Sequence, residues 1–374
     1  MDRLWWLMPG PSQFLSGVVE DIRDGRNAVL RFPKYAPNGF QSRLREELEG
    51  RDGWRWEYLR ASQEECLSPV DLLFRVLAPD YPSDSLRSVK LLASQHSFQG
   101  RVIWIDDFST ANWPPWREFL EEYAQVCDAL SVLERTIFVA FLSSEYSVPL
   151  PCEGPRLAHH NWREVTGNLD SALFAAFLVY QKNWATPKKR IAAATIAHVA
   201  LWDSELAKEL SDEPIESILL PLAFLENFAN QRGWDNQSIT DKEELWRHGI
   251  FERFDGVDKF HSAYLAISNR TEELQRRIWS GQIVVLMPLV EEKRQKILVD
   301  LKDSLKVPYR TRFGEEITDM LDLEIGHIES QITGFDSKVA PATQEKVKRL
   351  RRIRNHLSHL ETVPLELILG DDLL

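Results

Sequence analysis

Residues 345–360 read Glu-Lys-Val-Lys-Arg-Leu-Arg-Arg-Ile-Arg-Asn-His-Leu-Ser-His-Leu. They set Arg354, Asn355 and His359 into an R-N-x-x-x-H cluster that ends a basic segment, in a chain whose formal net charge is −12. An imidazole titrating near neutrality beside fixed guanidinium groups suits attack on a phosphodiester. No other stretch of the 374 residues gathers so many cationic side chains around a proton-transfer group. In such chemistry His359 takes the proton from a ribose 2′-OH or gives one to the leaving 5′-oxygen. Arg354 stabilises charge developing on the phosphorane, and Asn355 orients the imidazole or a phosphate oxygen. Arg349, Arg351 and Arg352 would draw RNA in through salt-sensitive backbone contacts.

Helical geometry supports part of this. Asn355 and His359 are four apart and share a face, and His356 and His359, three apart, could also meet. Arg354 and His359 are five apart, about 140° around a helix of 3.6 residues per turn. They converge on one phosphate only if the helix ends or bends there, or if a second protomer supplies the other half. A plainer reading competes. Basic residues gather in last helical turns because they complement the dipole, and Leu350, Ile353, Leu357 and Leu360 already account for a packed face.

The elements needed to position the cluster are helices. One is predicted from about Thr271 to Leu305, kinked or split at Pro288. A second is predicted from about Glu315 to Ile332, and a third after Pro341 to about Leu360. Pro364 then stops the chain before Leu365–Leu369, a short helix or a tail. Short loops between them imply an antiparallel bundle. With R-N-x-x-x-H late in it, residues 276–374 resemble the HEPN superfamily, many of whose members are metal-independent ribonucleases acting as toxins or defence effectors. The resemblance implies Arg354, Asn355 and His359 as catalytic residues. It also implies a composite site completed by a second subunit.

The first third alternates strands and helices, which favours a parallel α/β sheet. A helix is predicted over Pro11–Asp24 and a polar one over Gln41–Leu48. Strands are predicted at 27–32, 54–59, 101–107 (ending in Asp106-Asp107) and 135–142 (ending in Ser143-Ser144). This order over residues 10–165 resembles P-loop NTPases of the AAA and STAND kind, with Asp106 as the Mg²⁺-side carboxylate, Asp107 as the catalytic acid and Ser143 or Ser144 as the sensor. The phosphate loop departs from that pattern. A working loop needs G-x-x-x-x-G-K-[ST]. Here residues 33–42 hold one glycine, Gly39, with Phe40-Gln41 where Lys-Ser/Thr should stand and Lys34 ahead of the loop. The expectation is a degenerate module kept for docking, without ATP hydrolysis. The plain alternative for Asp106-Asp107 is a polar strand end opening into a loop.

Between these regions the pattern is helical, with runs at 170–181, 189–210 and 215–230. Residues 242–256 and 260–269 suggest a small helical or winged-helix unit. His198 reads as a core histidine, and His159-His160, His248 and His261 lack metal-ligand spacing. Three scattered cysteines, Cys66, Cys127 and Cys152, form no C-x-x-C pair, which supports neither a structural zinc site nor a disulfide framework and suits a reducing compartment. No apolar run reaches the ~18 residues of a membrane span. Thirteen tryptophans, several in the first 120 residues, read as core and partner-facing anchors rather than base-stacking platforms.

The expected architecture is therefore a multidomain α/β plus α chain: a degenerate P-loop-like parallel-sheet domain over 1–165, a helical middle domain over 166–270 and a HEPN-like helical bundle over 271–374. The expected setting is cytoplasmic, with no cofactor, no metal and no membrane association. RNA, protein partners and a homodimer through the C-terminal bundle are the expected contacts. The leading function is an effector of a prokaryotic antiphage defence or toxin system. The alternative is a non-catalytic adaptor of a larger defence complex.

Overall fold

Strands buried on both faces read as near-continuous apolar runs, and Val102–Ile105 and Ile137–Leu142 are such runs at the centre of a parallel sheet. The computed structural model describes residues 2–52, 54–63, 68–82, 86–143, 147–234, 241–268, 270–333 and 338–370. In chain order come α1 (Asp2–Trp5), α2 (Pro9–Arg23), β1 (Asn27–Phe32), α3 (Phe40–Asp52), β2 (Arg55–Arg60), α4 (Pro69–Leu77) and α5 (Val89–Ser94). Then follow β3 (Arg101–Asp106), α6 (Trp113–Val126), β4 (Ile137–Ser143) and β5 (Leu157–Asn161). The sheet order is β2-β3-β4-β1-β5, parallel throughout.

Alternate residues on each strand serve opposite faces. Val29, Ile103, Ile105, Phe138 and Ala140 pack with Trp113, Phe119, Leu120 and Tyr123 of α6. On the other face Phe32 meets Phe14 of α2 and Phe40 of α3. The four predicted strands appear within two residues of their expected bounds. β5 is the strand that periodicity missed, because only Leu157 and Ala158 of its five residues are buried apolar ones.

The chain continues through α7 (Asn168–Tyr180), α8 (Thr186–Ala200), α9 (Ser204–Asp212), α10 (Ile215–Leu219) and α11 (Leu222–Gln231). The helix expected over 189–210 is two. Leu201 takes a left-handed φ of 53°, and the Asp203 carboxylate caps α9 by accepting the N–H groups of Glu205 and Leu206, both at 2.9 Å. Next come α12 (Lys242–Arg247), an antiparallel hairpin of β6 (Phe251–Phe254) and β7 (Val257–Phe260), and α13 (Ser262–Ile267). Asp255 and Gly256, at φ 50° and 72°, make the tight turn such hairpins prefer.

The remainder is α14 (Thr271–Asp300), the two-residue strands β8 (Tyr309–Arg310) and β9 (Glu316–Ile317), α15 (Ile325–Ile332), α16 (Pro341–Ser358) and α17 (Leu365–Leu369). Two helix predictions are corrected here. Pro288 does not split α14, which runs unbroken for 30 residues. Pro288 and Val284, whose carbonyl loses its helical partner, are both exposed, so water can satisfy that oxygen. The helix expected from Glu315 begins only at Ile325. Before it the Thr311 hydroxyl accepts the N–H groups of Phe313 and Glu315, and Gly314 turns back at φ 88° to close a hairpin.

Two compact units result, Met1–Asp170 with Gln237–His261, and Ser171–Asn236 with Ser262–Leu374. The first holds the five-stranded sheet together with α12 and the β6–β7 hairpin. The second is helical, apart from β8–β9; within it α14 packs on α8 and α16, and α15 packs on α16. Among the described residues no helix is long and apolar enough to cross a membrane.

Candidate functional site

In the sheet unit, the chain leaves β1 for β2 at one edge and leaves β4 for β5 beyond β1. Neighbouring strands β1 and β4 thus send their connections apart, and open α/β sheets hold ligands at the carboxyl ends of strands at such a point. Of the predicted residues, Lys34 follows β1, Ser143 ends β4 opposite Phe32, and Asp106 ends β3 with Asp107 just after it, on the far side of β4 from β1. Ser144 falls outside the described residues.

What fills the β1–α3 connection is aromatic. Phe40 is buried at the start of α3, with its ring centroid 5.0 Å from Trp6, 5.3 Å from Phe32 and 5.7 Å from Phe14. Trp6 Nε1 donates to the Asn38 carbonyl at 2.7 Å and so ties the loop to the N-terminal segment. Lys34 is exposed; its N–H donates to the Arg247 carbonyl at 2.8 Å, and its ammonium lies 5.8 Å from the Tyr35 ring. Arg31 and Arg163 both pair with Glu243, the latter at 2.9 Å, and both guanidinium groups lie over Trp246. Thus α12 is clamped against the ends of β1 and β5.

The carboxylates of β3 are engaged by neutral donors. Asp106 accepts the Tyr58 hydroxyl at 2.9 Å and Trp104 Nε1 at 3.2 Å. Burial, foremost, raises the Tyr58 phenol above its ordinary value, so it remains a donor. Asp107 takes a left-handed φ of 60° and accepts the Ser62 hydroxyl. Among the described residues no three His, Cys, Asp or Glu side chains gather so as to hold a metal ion.

Sequence reading missed Glu252 on β6, the most perturbed carboxyl here. It is 5% exposed and accepts Trp246 Nε1 at 2.9 Å together with the N–H groups of Arg253 at 2.9 Å and Glu164 at 3.2 Å. Burial pushes its pKa up to about 7 despite those donors and the nearby Arg163 charge. The signal was a lone glutamate between two buried phenylalanines in Phe251-Glu-Arg-Phe254.

In the helical unit, α16 buries Val347, Leu350, Ile353 and Leu357 and turns Arg351, Arg352 and Asn355 outward. The helix ends at Ser358, and His359 is its C-cap residue at φ −97°, its N–H reaching the Asn355 carbonyl at 3.0 Å before Leu360 turns at φ 60°. Asn355 and His359 are both exposed, one turn apart on the same face. His356 is taken by Glu361, with Nδ1 3.0 Å from its Oε2.

Arg354 points elsewhere, to Glu324 Oε2 at 2.9 Å. It lines a cleft of about 180 Å³ with Met287, Val290, Glu291, Arg294, Asp322 and Glu324 among its walls. Glu324 also caps α15, and its own N–H donates to His327 Nδ1 at 3.2 Å. Arg294 holds Glu291 at 2.5 Å and donates to the Leu321 and Leu323 carbonyls, and its hydrogen bond keeps Glu291 below the usual carboxylate range. Three carboxylates against two guanidinium groups leave this cleft without a spare positive charge.

The expected RNA contacts divide. Arg349 donates to the carbonyls of Leu367 and Gly370, anchoring α17. Arg351 pairs with Glu329 at 3.0 Å, while Arg352 is exposed. No protein-family model matches the chain, and no curated protein sequence matches it.

Proposed function

We propose that the chain is a component of a prokaryotic antiphage defence or toxin system. Its C-terminal helices act as a HEPN-like, metal-independent endoribonuclease. The sheet unit serves as a degenerate P-loop, AAA/STAND-like module that docks or senses without hydrolysing ATP. The observation that carries the reading is the exposed Asn355–His359 pair at the end of α16, with Arg354 one residue before it on a neighbouring face. A base and its orienting amide reach an RNA strand from solvent, and the guanidinium supplies charge from the side. Because Arg354 is held by Glu324 on the wall of a cleft that His359 does not line, the reaction takes Arg354 from a second copy, in a homodimer through the C-terminal helices. The degenerate-module half is supported by the sheet order, by carboxylates at the end of β3 and by the Phe40 plug.

Purified full-length protein incubated with labelled single-stranded RNA tests this. Arg354→Ala and His359→Ala should each lower cleavage by about 100-fold or more, the usual range for removing an acid–base or charge-stabilising group. Cleavage unchanged in both variants removes the ribonuclease reading.

One observation favours a second reading, a non-catalytic adaptor of a larger defence complex. Arg349, Arg351 and Arg354 all end on protein acceptors, so most of the cationic face is already engaged. A chain that neither cuts RNA nor hydrolyses ATP, yet co-elutes with a defined partner, fits the adaptor.

A further inference from the structure

A helix that is apolar all round belongs in an interior, yet α7 is such a helix with one side in water. Its inner side buries Phe174, Ala175, Leu178 and Val179. Its outer side presents Leu173, Phe177 and Tyr180, which are 39%, 50% and 76% exposed at positions i, i+4 and i+7. Exposed apolar stripes of this length mark interaction surfaces rather than ordinary solvent faces.

A second feature adjoins the stripe. The first five residues of α8 include Lys188, Lys189 and Arg190 and no acidic residue. The N-terminal end of a helix already bears partial positive charge, so three cations there oppose the local field. The ammonium of Lys189 sits 5.5 Å from the Tyr180 ring and donates to the Tyr180 carbonyl at 2.7 Å, and that of Lys188 lies 5.4 Å from Trp184. The charge is thereby fixed against the end of the apolar stripe. Lys182 is paired with Asp212, but the three cations of α8 have no carboxylate partner among the described residues. An arrangement that breaks a local electrostatic rule is accounted for when an outside anion completes it.

We propose that the outer face of α7 and the basic start of α8 form a docking site for an acidic amphipathic helix of a protein partner. Leu173, Phe177 and Tyr180 receive apolar residues spaced i, i+4, i+7, and aspartate or glutamate in the partner's terminal turn meets Lys188–Arg190. A second copy of this chain fits less well. The only carboxylate at the far end of α7, Asp170, is 4% exposed and accepts the N–H groups of Gly10 and Gly167. The site stands whether or not α16 cuts RNA.

The test uses the full-length chain and a fluorescein-labelled synthetic helix with leucines at i, i+4 and i+7 and glutamates in one terminal turn. A control peptide carries lysines in place of the glutamates. Anisotropy should show the glutamate peptide binding at least about tenfold tighter than the control, with the difference shrinking as salt rises. Phe177→Asp and Arg190→Glu should each weaken it by about tenfold while leaving the thermal melt unchanged. Equal binding of the two peptides, or binding indifferent to both substitutions, overturns the proposal. A dimer in sedimentation that Phe177→Asp abolishes assigns the face to a second copy and also overturns it. Binding to phosphatidylserine vesicles, lost in the same variant, does so in favour of a lipid surface.

Discussion

Phe40 shows how one side chain decides what a strand–loop–helix can do. Phosphate binding at that position needs a cation and free amides, whereas a phenyl ring wedged among Trp6, Phe14 and Phe32 supplies packing alone. Glu252 makes the opposite case, a polar group buried at the same end of the sheet. Its folded pKa of about 7 lies above the ordinary 4.5, so the folded state holds the proton more tightly than the unfolded chain does. The resulting stabilisation is complete below about pH 4.5 and is lost as pH rises through about 7. At roughly 1.4 kcal/mol per unit, the loss is on the order of 3 kcal/mol. Glu252→Gln removes the titrating group, so urea denaturation at pH 5 and at pH 8 should show a smaller fall in stability for the variant than for the parent. The same fall in both would mean that Glu252 does not titrate in this window.

Among the elements, α14 and α8 meet at a glycine rather than at a pair of large side chains. A Cβ on Gly281 would lie 2.8 Å from Thr195 Cα and 3.0 Å from the Ala194 carbonyl oxygen, both backbone atoms that cannot swing aside. Alanine is the better helix former by about 1 kcal/mol, yet Gly281→Ala should destabilise by about 1–3 kcal/mol, because overpacking against a backbone outweighs propensity. A lower urea midpoint at unchanged slope would show it; a higher midpoint would mean the helices separate freely. The central strands could be read because burial on both faces leaves unbroken apolar runs such as Ile137–Leu142. The R-N-x-x-x-H cluster could be read because helical spacing alone relates Asn355 to His359. β5 and the 309–317 hairpin depend on pairing and turn chemistry that short polar segments do not advertise. The Arg354–Glu324 pair joins side chains thirty residues apart, and no local pattern announces it.

For the whole molecule, a net charge of −12 constrains the RNA reading, since attraction to a polyanion must come from a local field and not from the total. How much chain that local site requires is a separate question, and the packing of α14 answers it. Leu274, Ile278 and Val285 flank Gly281 at helical spacing and are all buried, and Gly281 itself is seated on Thr195 of α8. The Ser262 hydroxyl ahead of α14 donates to the Val199 carbonyl at 2.6 Å and accepts Arg277 at 2.7 Å, a second tie between the same segments. Residues 171–236 therefore complete the core on which the α16 cluster depends, although they lie in the stretch where the sequence shows no chemistry. A fragment of residues 271–374 made alone should expose this surface, bind a hydrophobic dye and lack near-ultraviolet circular dichroism, as expected of a chain that keeps its helices but loses fixed packing. Co-expression with residues 171–236 should restore cooperative unfolding. A fragment of residues 271–374 that melts cooperatively by itself would show that the α8 contact is dispensable, and that the C-terminal helices carry a sufficient core of their own.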